Sequence, residues 1–101
     1  QVSLDKKGQA VHPGDLTAQT HQAMAHIKTI LNELGADYDD VCKIMTVYKG
    51  DCGPEALNDN LPIRSSYFTE PGPATTGVPL PVLAYDAMAI EIDVYAMAKP
   101  D

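Results

Sequence analysis

The chain has 101 residues, 45% of them hydrophobic and 21% charged, which suffices for one globular domain over residues 1–101 and excludes a multidomain enzyme. Acidic residues outnumber basic ones 14 to 7, giving a net charge of −7 with Arg64 as the single arginine, so we expect no nucleic-acid partner. No apolar run approaches the roughly 20 residues of a membrane-spanning helix, and two cysteines are too few for a disulfide scaffold, so we expect a cytoplasmic protein with no membrane partner.

The N-terminal third predicts a strand end, a turn and a long helix. Val2 and Leu4 alternate with polar residues before a turn at residues 5–8. A helix is predicted from Asp15, which can cap free backbone N–H groups, to Gly35, which suits a left-handed C-terminal cap. Its apolar stripe comprises Leu16, Thr20, Ala23, Met24, Ile27, Ile30, Leu31 and Leu34. Its polar face comprises Gln19, Gln22, Lys28 and Asn32.

The middle of the chain predicts a central strand and a second helix. Residues 41–48 are β-branched and aromatic, and both sides of this strand are fairly apolar. Pro54 suits the first turn of a helix. Pro62 would remove an intrahelical hydrogen bond at a cost of about 3 kcal/mol, so the segment up to Phe68 is predicted to be kinked or split.

The C-terminal third predicts a rigid Pro/Gly loop over residues 69–77 and two strands. Residues 78–83 contain Pro79 and Pro81, which favour a sheet edge, and residues 88–97 alternate between apolar and polar. The order β-α-β-α-β-β predicts an α+β fold with both helices on one face of the sheet. Oligomerisation would bury the other face, for which the apolar candidates are Cys42, Ile44, Tyr48, Ile90 and Ile92.

Four segments follow one another with consistent spacing: 1–5, 14–23, 31–43 and 89–92, which read QVSLD, GDLTAQTHQA, LNELGADYDDVCK and AIEI. With the Pro/Gly loop, this order resembles the YjgF/Rid family of enamine/imine deaminases, also labelled endoribonuclease L-PSP, over essentially the whole chain. The resemblance implies a chorismate-mutase-like fold with a mixed sheet, a homotrimer and small-molecule clefts between subunits. Family members usually begin with a further strand and a half, which this sequence lacks.

Glu91 is the candidate catalytic residue. The resemblance implies that it positions the water that attacks the C=N carbon, and the alternative is a solvated strand carboxylate. The family's loop arginine, which holds the substrate carboxylate, has no counterpart here, because Pro73 and Ala74 are followed by Thr75 and Thr76. A hydroxyl in place of a guanidinium weakens carboxylate binding by roughly a couple of kcal/mol or more, so the chain resembles an arginine-less subgroup.

The candidate ligand-binding residues are Thr75, Thr76, Gly77 and Arg64. The alternative for the first three is a loop shaped only to close a trimer interface. Arg64 is the candidate for a relocated anion anchor, and its alternative is a surface ion pair with Glu70.

The family's second-helix asparagine falls at Asn60 or Leu61, and we assign it to neither. His21 and His26 are five residues apart and do not share a helix face, so no metal site is predicted, and no cofactor is expected.

Two functions follow from the resemblance. The first is binding, with hydrolysis, of a small enamine or imine that lacks the usual carboxylate, in an intersubunit cleft. The alternative is a non-catalytic small-molecule-binding or regulatory homotrimer, for which loss of the loop arginine is expected. The net charge of −7 disfavours RNA cleavage, the activity of the second family label.

Overall fold

The fold is a mixed three-stranded sheet with two helices, described here from a computed structural model that covers residues 1–50, 53–69 and 71–97. The predicted α+β class is confirmed. A short 3₁₀ turn at Tyr38–Asp40 leads into the first strand. The helices and strands, in chain order, are α1 (Leu16–Glu33), β1 (Val41–Lys49), α2 (Gly53–Ser65), β2 (Ala74–Leu80) and β3 (Ile90–Ala96).

Helix α1 begins and ends where the sequence predicts. The Asp15 carboxylate accepts a hydrogen bond from the Ala18 backbone N–H at 3.0 Å, and Gly35 adopts a φ of +79° just after the helix. The predicted stripe is buried at Thr20, Ala23, Met24, Ile27 and Leu31. Ile30 and Leu34, also assigned to it, are exposed, because the face that packs on the sheet is narrower than the predicted stripe.

Gln19 corrects the predicted polar face of α1, because it is fully buried. Its Nε2 donates to the backbone oxygens of His12 (2.9 Å) and Ala87 (2.7 Å), and its Oε1 accepts from the Ala89 backbone N–H (2.8 Å). A side-chain amide matches a backbone N–H and C=O pair, so it can take the place of a neighbouring strand. Gln19 therefore fixes the start of α1 to the segment that leads into β3.

The central strand is β1, as predicted, and the strand order is β2-β1-β3. β3 is antiparallel to β1, whereas β2 is parallel to it, and α2 supplies the crossover that a parallel pair requires. β2 is an edge strand, as predicted from its prolines. It begins at Ala74 rather than Val78, because Thr75 and Thr76 pair in register with Ile44 and Met45.

The core lies between the helices and one face of the sheet. Ile44, Tyr48, Ile90 and Ile92 belong to this face and are buried, so assigning them to an oligomerisation surface was wrong. The bulge between Val41 and Lys43 leaves Cys42 exposed. The opposite face, which no helix covers, carries the alternate residues of the three strands: Met45, Val47, Thr76, Val78, Glu91, Asp93 and Tyr95.

Helix α2 continues through Pro62 to Ser65, so the predicted split does not occur. Pro54 lies in its first turn, as predicted. Near the N-terminus, Leu4 forms a single antiparallel bridge with Ala10 in place of the predicted strand end. Neither helix has the length and apolar character needed to cross a bilayer in the described part of the chain.

Candidate functional site

A pocket of about 110 Å³ lies between the C-terminal half of α2, the loop before β2 and the first residues of β2. It brings together two of the predicted ligand-binding residues, Arg64 and Thr75. One wall is apolar, and Ser65, Thr69 and Thr75 contribute hydroxyl groups. The described lining residues are Ile44, Leu61, Arg64, Ser65, Phe68, Thr69, Pro71, Gly72, Pro73 and Thr75.

Arg64 is buried, with 5% of its surface exposed, and is therefore no surface residue. Its Nε donates to Asn60 Oδ1 at 2.7 Å and its Nη1 donates to Thr46 Oγ1 at 3.0 Å. Burial lowers the pKa of the Arg64 guanidinium below its usual range, since the charged form loses solvation. The suggested ion-pair partner, Glu70, lies outside the described residues.

The hydrogen bonds of Arg64 extend into α1. Asn60 Nδ2 donates to Thr20 Oγ1 at 2.6 Å, and the Thr20 hydroxyl donates to the Leu16 backbone oxygen at 2.7 Å. A chain of neutral groups thus orients the guanidinium from both helices. Asn60 has no role among the predicted site residues, although its spacing of four from Arg64 places both side chains on one face of α2.

The three candidate ligand-binding residues of β2, Thr75, Thr76 and Gly77, do not all face the same side of the sheet. Thr75 pairs with Ile44 and faces the helices, where it lines the pocket. Thr76 pairs with Met45 and faces away from the helices. Gly77 pairs with Thr46, and all three candidates are exposed. Of the three, the structure therefore places only Thr75 beside Arg64.

Glu91 lies on the opposite edge strand and on the opposite face from the pocket. It pairs with Val47 in β1 and is partly exposed. Two strand spacings of about 4.8 Å separate β3 from β2, so Glu91 and Thr76 of one chain are about 10 Å or more apart across the uncovered face. Within one chain, Glu91 does not face Thr75.

The two helix histidines serve structural contacts. His26 Nε2 lies 2.9 Å from the Leu4 backbone oxygen, and His21 Nδ1 is hydrogen-bonded to the Tyr67 hydroxyl. Burial raises the pKa of the Tyr67 phenol. The described residues contain no cluster of His, Cys, Asp or Glu able to hold a metal ion.

A larger hollow of about 300 Å³ lies beside α1 and β3. Its described lining is mainly apolar, with Asp93 and Gln1 at its polar positions. It contains none of the predicted site residues. The Arg64 pocket is therefore the better candidate for a ligand site, because it combines a fixed cation with an apolar wall.

Comparison with protein families matches nearly the entire chain to a known family. The family described as Endoribonuclease L-PSP matches residues 1–98. Two RutC family proteins, from Pyrococcus abyssi and Pyrococcus horikoshii, are each 34% identical over 96 residues. The alignment covers 95% of this chain and 72% and 73% of these relatives.

Comparison with solved structures agrees. The Rid family protein YyfB of Yersinia pestis, whose function is described as unknown, superposes with a TM-score of 0.82 at 30% identity, covering 95% of this chain and 72% of that one. A putative endoribonuclease of Thermotoga maritima gives a TM-score of 0.78 at 25% identity, covering 99% and 76%. The RidA protein of a Psychrobacter species has the same fold, with a TM-score of 0.80 at 21% identity and coverage of 93% and 72%.

Proposed function

The chain belongs to the endoribonuclease L-PSP family, also called the YjgF/Rid family, and on this premise we propose that it binds a small enamine or imine and hydrolyses it. The observation that carries the proposal is the pocket at the start of β2. It lies where the resemblance expects the ligand-binding loop, and it contains Arg64 and Thr75.

The proposed site is completed by a second copy of the chain. Thr76 and Gly77 lie on one edge strand and Glu91 lies on the other, with β1 between them. A head-to-tail interface, in which the β3 edge of one copy meets the β2 edge of the next, would bring Glu91 to that edge beside Thr75, the exposed β2 residue that lines the pocket, and a ring of three closes such an interface. The uncovered sheet face, with Met45, Val47 and Val78, provides apolar surface for this assembly.

Hydrolysis of an imine requires few groups from the protein. An enamine first tautomerises to its imine. Water held by the Glu91 carboxylate then adds to the C=N carbon while the carboxylate takes a proton from the water. The resulting carbinolamine is protonated on nitrogen and expels ammonia, leaving a carbonyl product. Positioned general-base catalysis of this kind contributes about 10²- to 10⁴-fold.

The test generates imines with an amino-acid oxidase and follows their decay with the wild-type chain and with Glu91→Gln. We expect the wild type to accelerate decay and the variant to lose at least about 100-fold of that acceleration. Asp93→Asn is the matched control, since Asp93 lies two residues along the same strand and face, and it should retain the activity. Full activity in Glu91→Gln would refute the role of Glu91.

The second candidate is a non-catalytic binding homotrimer. One observation favours it: the described residues that line the pocket include a cation but no carboxylate. A single chain can therefore bind a ligand in this pocket but supplies no general base for hydrolysis from the described lining. No acceleration with any imine, combined with ligand binding in the pocket, would support this function over the first. RNA cleavage is not proposed, because a net charge of −7 opposes contact with a phosphate backbone.

A further inference from the structure

The Arg64 guanidinium is buried without a counter-charge in the described part of the chain. Its two hydrogen-bond partners, Asn60 and Thr46, are neutral, and the ion pairs of residues 1–50, 53–69 and 71–97 involve other groups. Burying an unpaired charge is costly, so natural proteins pair such groups or give them a ligand. A cation held at 5% exposure by neutral partners is suited to bind an anionic ligand.

The guanidinium has donors left for that anion. It carries five N–H groups, and the contacts to Asn60 and Thr46 use two of them. Nη2 donates to no described group, yet every fully buried side-chain nitrogen and oxygen among the described residues has a partner. Nη2 is therefore not sealed in the core, and the pocket that Arg64 lines is the space available to it.

The pocket around these donors suits a small amphipathic anion. Thr75 supplies a hydroxyl from β2, across the pocket from α2. Ile44, Leu61 and Phe68 supply an apolar wall. A volume of about 110 Å³ fits a molecule with only a few non-hydrogen atoms.

We infer that this pocket is an anion site in which Arg64 and Thr75 bind the carboxylate of a short aliphatic acid, whose alkyl group lies against Ile44, Leu61 and Phe68. Arginine is suited to this task because its planar array of N–H groups matches carboxylate oxygens. Asn60 and Thr46 hold that array in place, so little side-chain entropy is lost on binding.

This inference deepens the proposed function, on which its relevance to imines rests, by giving the ligand a negative charge. The amino-acid sequence predicts a ligand without the usual carboxylate, because Thr75 stands where the resemblance implies an arginine. In the folded chain a guanidinium reaches the neighbourhood of Thr75 from α2 instead. The positive charge thus comes from helix α2 and not from the loop, and the pocket still favours a negatively charged ligand.

The experiment titrates the full chain with propionate and, separately, with its neutral isostere propionamide, observed by NMR. We expect propionate to shift resonances of residues lining the pocket and to bind at least about tenfold more tightly than propionamide. Arg64→Met should raise the propionate Kd at least about tenfold and leave propionamide binding within about twofold. Equal affinities for the two probes in the wild type would overturn the inference.

Loss of the Arg64 network could impair folding, so Thr75→Val provides a second test with Thr76→Val as its matched control. The two threonines are adjacent on β2 but lie on opposite faces. We expect only Thr75→Val to weaken propionate binding, by about threefold or more, and equal effects of the two substitutions would contradict the proposed site.

Glu70→Gln tests whether Arg64 is already neutralised. Propionate binding that appears only in this variant would overturn the inference, because Arg64 would then be paired within the chain. Unchanged binding supports it. None of these titrations requires hydrolysis, so an inactive protein that binds propionate through Arg64 would refute the imine chemistry and leave the anion site intact.

Discussion

The two helices bury different kinds of side chain: mainly apolar ones on α1, and polar and charged ones on α2. α1 buries mainly hydrocarbon against the sheet, with Ala23, Met24, Ile27 and Leu31 at its centre. α2 buries Asn60 and Arg64, which are linked by hydrogen bonds to each other and to α1 and β1. Hydrophobic contact is non-directional, whereas a hydrogen-bonded network fixes positions. The difference indicates that α1 supplies stability and α2 supplies the geometry of the pocket.

The largest effect should come from the hydrocarbon side of this comparison. Met24 is fully buried, and Met24→Ala should lower the free energy of unfolding by about 2–5 kcal/mol, through lost transfer energy and the cavity left behind. Urea denaturation measures the change. Met97→Ala, at a position 68% exposed, is the matched control and should change stability by less than about 0.5 kcal/mol. A loss below about 1 kcal/mol at Met24 would contradict the assigned role of α1.

The polar side of the comparison is tested by Asn60→Ala. The substitution removes the acceptor of Arg64 Nε and the donor to Thr20, and should lower the free energy of unfolding by about 2–3 kcal/mol. Asn58→Ala, on the exposed side of the same helix, should cost less than about 0.5 kcal/mol. Propionate affinity should fall in Asn60→Ala and not in Met24→Ala. Equal affinities in the two variants would remove the distinction between the helices.

Pro62, inside α2, tests whether this helix is built for stability. The helix passes through this exposed residue, which has no N–H to donate. Pro62→Ala should stabilise the chain by about 1–2 kcal/mol, since a helix-interior proline costs about 3 kcal/mol and the more flexible unfolded chain offsets about 1 kcal/mol of the gain. Pro81→Ala, beyond the end of β2, is the control and should give no stabilisation. A destabilised Pro62→Ala variant would show that α2 requires the proline for its geometry.

The smallest expected effect is a loss of stability at high pH, caused by Tyr38 and Tyr67, whose hydroxyl groups are hydrogen-bonded to α1. Burial raises the pKa of Tyr38 and Tyr67, with the neighbouring Tyr67 and Asp37 adding to the effect at Tyr38. The folded state therefore favours the neutral phenols, so their contribution to stability is complete below about pH 10 and is lost as the pH rises further. In denaturation curves between pH 8 and 11, Tyr67→Phe should make that decline shallower. An unchanged slope, with Tyr85→Phe as reference, would contradict the assignment.

Patterns of local chemistry predicted much of the fold. The cap at Asp15, the spacing of the α1 stripe and the glycine at position 35 located the first helix, and β-branched residues located β1. Each of these signals involves residues close together in the chain, so it can be recognised in the sequence without knowledge of the tertiary structure. The parallel pairing of β2 with β1 depends on the α2 crossover and has no comparable local signature.

The site was less predictable, because its residues violate the usual burial preferences. Charged and amide side chains are rarely buried without partners, so Arg64 and Gln19 were assigned to solvent or left with alternatives. Their partners are distant in the sequence: Thr46 is 18 residues from Arg64, and Ala89 is 70 residues from Gln19. Thr75 was identified from the resemblance, and only the strand register separates it from Thr76.

The strand order β2-β1-β3 also has a consequence for synthesis. The central strand is the first of the three to be made, and both of its partners follow it, β3 extending to Ala96. On the ribosome, β1 therefore emerges with both edges unpaired, while α1 can already form through local contacts. The sheet closes only once β3 has left the ribosome, and only then can the Gln1 backbone oxygen accept a hydrogen bond from the Ile92 N–H, which measures 2.9 Å in the folded chain.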